Sequence, residues 1–202
     1  MGDEFTNRVA GLDDLEALHM LMARAIGQNQ SDFLSPAQIA VSNQVMGLDT
    51  QLVRDGTYFI IESDRRIAGC GGWSFRATLY GGDESVVARE PARLDPAKDA
   101  AKVRAMYTDP DFTRRGIGSR ILALCEDAAR YAGFKRVELM GTAAGVPLYR
   151  AQGYLPSAEQ RLRGWARLKY HCCVWKSNWY DLNNVRAVLD MQAKLATAKK
   201  TY

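Results

Sequence analysis

The sequence has little of what metal centres and disulfide frameworks require. Its 202 residues include two histidines and four cysteines, namely Cys70, Cys125, Cys172 and Cys173. No two cysteines form a CxxC pair, and the adjacent Cys172 and Cys173 lack the spacing of zinc ligands. We therefore expect no metal site. Four free thiols are typical of a reducing compartment, so the predicted location is cytoplasmic.

Long apolar runs are also missing. No stretch of about 18 apolar residues occurs, which is the length a membrane-spanning helix needs. The first residues, MGDEFTNRVAG, have no apolar signal region. We therefore expect no membrane partner.

The charge is uneven along the chain. Residues 160–202 carry nine Lys/Arg and two Asp/Glu, whereas the whole chain has a net charge of +4. The end of the sequence is thus basic, and the rest is slightly acidic. This pattern favours a solvated basic surface, with an acidic partner or nucleic acid as the less expected alternative.

The first hundred residues alternate helix and strand patterns. EFTNRV predicts a first strand, and residues 13–27 predict a helix with a capping box from Asp13 to Glu16 and a stop at Gly27. Ser35-Pro36 opens a second helix. His19 is expected to pack in the core. Residues 57–75 predict a β-hairpin around the turn DRR.

A long aperiodic segment, residues 76–100, follows the hairpin and is rich in glycine, proline and charge. Such a loop inside a compact domain is usually functional, so we expect a mobile segment near the substrate. Trp73, Phe75 and Tyr80 either line an acceptor pocket there or pack in the core. Cys125 is expected in the core.

The second half predicts strand, helix, strand and helix in turn. The segments are AKVRAMYTD, IGSRILALCEDAARYAGF, KRVELMG and AAGVPLYRAQG. Two last strands and an amphipathic helix from YDLNNVRAVLD onward complete the pattern. This order predicts a layered α/β domain over residues 1–176, followed by a basic helix over 177–202. The run WKSNWY and the final apolar stripe predict either a homodimer or packing of that helix on its own domain.

A basic, glycine-bearing turn precedes the strongest helix. Backbone amides at such a helix start bind anions, most often phosphates. The P-loop pattern GxxxxGK[ST] is absent, and the GxGxxG fingerprint fails because position 121 is Ile. No GxSxG supports Ser-His-Asp chemistry. What remains is TRRGIG, residues 113–118, between a strand and a helix.

This turn, with its neighbours, resembles the GNAT superfamily of acetyl-CoA-dependent N-acetyltransferases. TRRGIG is similar to the family's pyrophosphate loop [Q/R]xxGx[G/A], with Thr113 in place of Gln or Arg. IAGCGGW, MYTDPDFTRRGIGSRIL, GFKRVELMG and VPLYRAQGY resemble, in order, the third strand, the fourth strand with its loop and helix, the fifth strand and the fourth helix. The resemblance covers roughly residues 57–154 and implies a mixed, mostly antiparallel sheet flanked by helices.

The resemblance also implies roles for individual residues. Tyr149 matches the family's general acid, and the amide of Tyr107 matches the group that polarises the thioester carbonyl. The positions implied to hold acetyl-CoA are Met106, Tyr107, Thr108, Arg114, Arg115, Gly116, Ile117, Gly118, Ser119 and Thr142. Thr142 stands where many members have Asn.

The general base stays open in the sequence. Many members use a Glu near the fourth strand, and AKVRAMYTD has none. The candidates are Asp109, Glu138, Asp83 and Glu84, and a water chain is the alternative.

The resemblance implies acetyl transfer to a primary amine, more often a small molecule than a protein. The alternatives are a protein acetyltransferase and a non-catalytic acyl-CoA-binding module. A nucleic-acid-binding protein is the third interpretation.

Overall fold

The fold is described from a computed structural model. It covers residues 4–43, 45–85 and 92–156, together with the backbone of residues 173–178. Part of the long loop and most of the chain after 156 therefore lie outside the described residues. These include His171 and, from residue 179 on, the predicted C-terminal helix, which stays a prediction.

One sheet of seven strands forms the centre of the domain. Its order is β1-β2-β3-β4-β5-β7-β6, and only the β4–β5 pair is parallel. The predicted mixed, mostly antiparallel sheet is confirmed. The strands are β1 Thr6–Val9, β2 Tyr58–Ser63, β3 Arg66–Ser74, β4 Ala101–Thr108, β5 Arg136–Gly141, β6 Leu155–Pro156 and β7 Cys173–Asn178.

Helices cover both faces of this sheet. Ile60 and Ile61, neighbours in β2, belong to separate core clusters because successive residues of a strand point to opposite faces. α1 packs in the cluster of Ile60, and α4 packs in that of Ile61. The helices are α1 Leu15–Asn29, α2 Pro36–Ser42, α3 Thr50–Arg54, α4 Ile117–Tyr131 and α5 Val146–Ala151.

Local sequence explains why several of these elements form. Ser35 caps α2 reciprocally with Gln38, with Pro36 at the first helical position. The β2–β3 hairpin turns through Asp64 and Arg65, whose φ angles of 49° and 62° are both left-handed, as a tight two-residue hairpin turn requires. The predicted hairpin is confirmed.

Three predictions about α1 are wrong. The side chain of Asp14, not Asp13, holds the entrance, because its Oδ2 accepts the Gly11 amide at 2.7 Å. The helix also continues through Gly27 to Asn29. A helical glycine costs only about 1 kcal/mol, which packing of the buried Ala25 and Ile26 outweighs. His19 is exposed rather than packed in the core.

The structure also tests the predictions for Trp73 and Cys125. Trp73 is buried and packs edge-to-face on Phe134 and Phe75, so it belongs to the core. Cys125 is fully buried on α4, as expected, and burial raises the pKa of its thiol. Burial likewise raises the pKa of Cys70 to about 12. Within the part of the chain that the structure describes, no helix is long and apolar enough to cross a membrane.

Candidate active site

The centre of the sheet opens because the neighbouring strands β4 and β5 diverge. They pair only from Ala101 to Val103, opposite Val137 to Leu139. Beyond Val103 the register of β4 against β3 gains one residue, since Gly72 faces Arg104 whereas Cys70 faces Tyr107. This is a β-bulge, which bends a strand and re-aims its side chains.

The bulge coincides with a left-handed residue, Ala105, and a hydrogen bond from β2 supports that conformation. Ala105 has a φ of 49°, which is rare for a residue with a Cβ. The buried Tyr58 hydroxyl donates to the Ala105 carbonyl at 2.7 Å and holds this conformation. Because of the extra residue, Val103 packs on the α4 side and Tyr107 on the α1 side, although an even number of positions separates them.

A cleft of about 910 Å³ begins where the strands diverge. It runs from the first turn of α4, past the bulge, to the segment after α1 and the loop around Tyr80. Most of the residues predicted to hold acetyl-CoA line it. They are Met106, Tyr107, Thr108, Arg114, Gly116, Ile117, Gly118, Ser119 and Thr142.

The glycine turn forms one end of this cleft. Arg114 and Gly116 are left-handed, with φ angles of 63° and 80°, and Gly116 caps α4 without any side-chain hydrogen bond. The backbone amide of Arg120 donates to the Gly116 carbonyl at 3.0 Å, which is the first hydrogen bond of the helix. The amides of Ile117, Gly118 and Ser119 come before it and have no acceptor within the helix. Such amides, with the positive end of the helix dipole, form an anion site.

The two arginines of the turn have different environments. Arg114 lines the cleft. The guanidinium of Arg115 lies 5.2 Å from the ring centroids of both Phe5 and Phe112, and Arg115 is not among the cleft-lining residues. The structure therefore brings Arg114, rather than Arg115, to the site.

The buried carboxylate of Asp109 stabilises the segment that leads into the glycine turn. Asp109 is 4% exposed, accepts from Arg24 Nη1 at 3.0 Å and caps the amide of Asp111 at 2.9 Å. Asn29, at the end of α1, donates to the Thr108 carbonyl at 2.8 Å. These contacts fix α1 to the end of β4, just before the glycine turn.

Tyr149, the predicted general acid, lines the same cleft from α5 and is 8% exposed. Its ring is next to Tyr154, with centroids 6.1 Å apart. Tyr154 in turn donates to Glu126 of α4 at 2.6 Å. These contacts connect α5 and the residues after it to α4. Tyr149 thus packs in the core cluster and also lines the cleft.

None of the four acids considered as general base lines the cleft. Asp109 caps a turn, Glu138 is ion-paired with Lys102 on β4, and Asp83 accepts the Thr50 amide at 3.0 Å. Glu84 is exposed. The carboxylate that does line the cleft, among the described residues, is Asp32. Sequence reasoning missed it because it lies in a polar segment after α1 that carries no motif.

Of the remaining aromatic residues that could line an acceptor pocket, Tyr80 lies at the cleft and Phe75 does not. Tyr80 lines the cleft, with Leu79 and Gly81, so the long loop contributes to the site. Phe75 does not line it and instead stacks against Arg76 and Arg93, at 5.1 and 4.9 Å. Within the described ranges, no group of three or more His, Cys, Asp or Glu residues could hold a metal.

Comparison with known proteins agrees with this geometry. The sequence profile of the Acetyltransferase (GNAT) family matches residues 25–154. The chain belongs to the GNAT acetyltransferase family. Family membership implies an acyltransferase. No curated protein sequence gives a significant match.

Solved GNAT structures share the fold at low sequence identity. PaiA N-acetyltransferase from Thermoplasma acidophilum, in complex with coenzyme A, is 12% identical, with a TM-score of 0.60 over 87% of this chain and 99% of that one. A GCN5-related N-acetyltransferase from Rhodopseudomonas palustris is 13% identical, with a TM-score of 0.60 over 88% and 98%.

N-acetylglutamate synthase from Neisseria gonorrhoeae, complexed with coenzyme A and N-acetyl-glutamate, is 15% identical, with a TM-score of 0.55. The match covers 90% of this chain and 36% of that one. At these identities the likeness establishes the GNAT fold and not the acceptor.

Proposed function

We propose that this protein transfers an acetyl group from acetyl-CoA to a primary amine of a small molecule, by direct attack of the amine. The observation that carries the proposal is one continuous cleft. The amide-rich first turn of α4, the splayed part of β4 and Tyr149 all line it. Coenzyme A bound to solved GNAT neighbours supports the choice of co-substrate.

The glycine turn fits a pyrophosphate. Apart from Gly116 and its two chain neighbours, no atom lies within 4 Å of the place where a Cβ on Gly116 would stand, so a ligand can approach the backbone there. Arg114 adds a positive charge, and the amides of Ile117, Gly118 and Ser119 add donors. Beyond the turn, Met106 to Thr108 on β4 and Thr142 after β5 would hold the extended arm of the co-substrate.

Acetyl-CoA supplies an activated acetyl group, and the protein supplies position, polarity and a proton. The Tyr107 amide would polarise the thioester carbonyl as its oxygen gains charge. The neutral amine nitrogen forms a bond to the acetyl carbon, the carbon–sulfur bond breaks, and Tyr149 gives its proton to the departing sulfur. The new amide nitrogen then releases its extra proton, through water, to the Tyr149 phenolate. General acid catalysis of this kind is worth about 10²–10⁴ in rate.

The attacking amine must first lose a proton, since an alkyl ammonium titrates near ~10.4. None of the four acids considered from the sequence lines the cleft, so either water or Asp32, the described acid that does line it, would accept this proton. The same observation favours a second candidate, an acyl-CoA-binding module without turnover. Binding and chemistry therefore need separate measurements.

Thermal unfolding with acetyl-CoA, against NADH and ATP, tests the binding step. A ligand at 100 times its Kd adds about 2.7 kcal/mol of stability, which is easily measured. Thiol release from acetyl-CoA with amines and with a lysine-containing peptide then tests the chemistry. A shift without release from any acceptor would favour the binding module, release with the peptide alone would indicate a protein acetyltransferase, and no shift would contradict the proposal.

A further inference from the structure

The acceptor side of the cleft has a wall made of two joined loops. The segment 45–50 and the segment 79–83 exchange backbone hydrogen bonds, from Gly82 to the Val45 carbonyl at 3.1 Å and from Asp83 to the Leu48 carbonyl at 2.8 Å. The Gly47 amide donates to the Tyr107 hydroxyl at 3.0 Å. Hydrogen bonds therefore join the two segments of the wall to each other and to β4.

Arg104 of β4 lines this side of the cleft, but its guanidinium group is already paired with a carboxylate of the protein. Its Nη1 lies 2.5 Å from Asp49 Oδ2, and its Nη2 donates to the Gly81 carbonyl at 2.7 Å. The two charged side chains are 4% and 1% exposed. Separating a buried ion pair leaves an uncompensated charge in a poorly polarisable interior, which is strongly unfavourable. Arg104 is thus a structural cation, and it is not available to a carboxylate on the acceptor.

The rest of this side combines apolar residues, the amide side chains of Gln28, Asn29 and Gln30, and one acid among the described residues. Met46, Leu79 and Tyr80 line it, and Phe33 lies at its margin with 53% of its surface exposed. Asp32 is exposed beside Phe33, and it makes no hydrogen bond or ion pair with the residues that the structure describes. An exposed phenylalanine next to an unpaired carboxylate at a cleft is a surface suited to a cation with an apolar body.

We infer that the acceptor is a cationic amine with an apolar or aromatic body and without a carboxylate group. This inference rests on the proposed acetyl transfer and names its substrate class. Asp32 attracts the ammonium group, and the apolar residues bind the body. An added carboxylate would meet Arg104, which is already paired with Asp49, and no other cation among the described residues on this side of the cleft. Amino acids are therefore poor acceptors for this protein.

Four probes that differ by one group each test the inference on the full-length protein. Phenethylamine has both features, phenylalanine adds a carboxylate, ethanolamine lacks the apolar body, and 2-phenylethanol lacks the charge. Binding is measured as the thermal shift in the presence of coenzyme A, and turnover as thiol release from acetyl-CoA. We expect phenethylamine to bind and to react at least tenfold better than phenylalanine and ethanolamine, and to bind at least fivefold more tightly than 2-phenylethanol.

A variant pair assigns the effect to Asp32. D32N should weaken phenethylamine binding about five- to tenfold and leave acetyl-CoA affinity unchanged. D13N makes the same change in net charge at an exposed position at the other end of α1 and should change neither. Each of four results would overturn the inference: equal or better use of phenylalanine, binding of 2-phenylethanol as tight as that of phenethylamine, no effect of D32N, or no response to any probe while acetyl-CoA binds. Failure of acetyl-CoA to bind would overturn the proposed function, and this inference with it.

Discussion

The ring of Tyr149 lies directly over Gly145. A Cβ at position 145 would stand 2.6 Å from Cε2 and 3.0 Å from the hydroxyl oxygen of Tyr149. Contacts this short do not occur between real Cβ atoms and their neighbours, so any side chain at 145 displaces the tyrosine. The absence of a side chain four residues earlier on the chain thus places the proposed proton donor.

Gly145→Ala should therefore lower turnover and leave acetyl-CoA binding nearly intact. The methyl group displaces the Tyr149 ring and hydroxyl and leaves the glycine turn unchanged. The measurement is kcat by thiol release, together with the Kd of acetyl-CoA. Gly27→Ala is the matched control, because the corresponding Cβ meets no atom within 4 Å apart from its chain neighbours and the nearby backbone of α1. It should keep full activity and gain up to about 1 kcal/mol of stability. Equal activity of both variants would contradict the positioning role.

Tyr149→Phe removes the proton donor itself. We expect kcat to fall about 10²–10⁴-fold, with little change in the Kd of acetyl-CoA. Combined with Gly145→Ala, the loss should be much smaller than the product of the two single losses, since both act through the same hydroxyl. A multiplicative loss in the double variant would show that Gly145 acts independently of Tyr149, and an unchanged kcat across pH would remove Tyr149 from the mechanism.

Ser119→Glu should change stability and binding in opposite directions. The side chain joins the first turn of α4, where a negative charge stabilises the helix by about 0.3–1 kcal/mol. The same charge repels a phosphate at the cleft, so acetyl-CoA affinity should fall about tenfold or more. Ser119→Gln has almost the same size and no charge, and it should bind more tightly than Ser119→Glu. Identical affinities in the two variants would mean that no anion binds at this turn.

Glu138→Gln should affect folding rather than catalysis. Glu138 lies opposite Lys102 in the short β4–β5 pairing, and the side chains are 13% and 11% exposed. Breaking a buried pair by removing one partner costs roughly 3–5 kcal/mol. The melting temperature should fall, whereas the pH profile of kcat in the folded fraction should not change. A lost acid limb in that profile, where rate falls as a general base becomes protonated, would instead restore Glu138 as a candidate base.

The stability of the protein should fall in acid partly through Asp55. Its carboxylate accepts from Arg76 at 2.7 Å, and this hydrogen bond holds the pKa below its usual value of 3.8 against the opposing effect of burial. A lowered folded-state pKa adds stability above the usual value, which is lost as the pH falls through the folded value. Asp55→Asn should therefore be less stable at neutral pH, and its stability should depend less on pH below the usual value of 3.8 in thermal unfolding. Asp13→Asn should follow the wild type.

The parts of the fold with local causes could be predicted from the sequence. The hairpin follows from two β-rich stretches around a polar turn, and α4 follows from its apolar period. The glycine turn was recognisable because Gly116 must take a conformation that residues with side chains avoid. These features depend on residues close together in the chain.

The parts with distant causes could not be predicted. Ala105 carries no sign of its left-handed conformation, which depends on a hydrogen bond from Tyr58 on another strand. The choice between Arg114 and Arg115 depends on a backbone rotation at Arg114 and on the rings of Phe5 and Phe112. Neither kind of information is present in the local pattern.

The short pairing of β4 with β5 has a consequence for solubility. After Val103, the peptide groups of β4 that point toward β5 have no partner in that strand, so the middle of the sheet resembles an outer strand. Exposed strand edges pair with other chains unless something covers them. A co-substrate arm lying along β4 would act as the missing strand. Occupancy of the site would then protect the protein from self-association as well as supply the reaction.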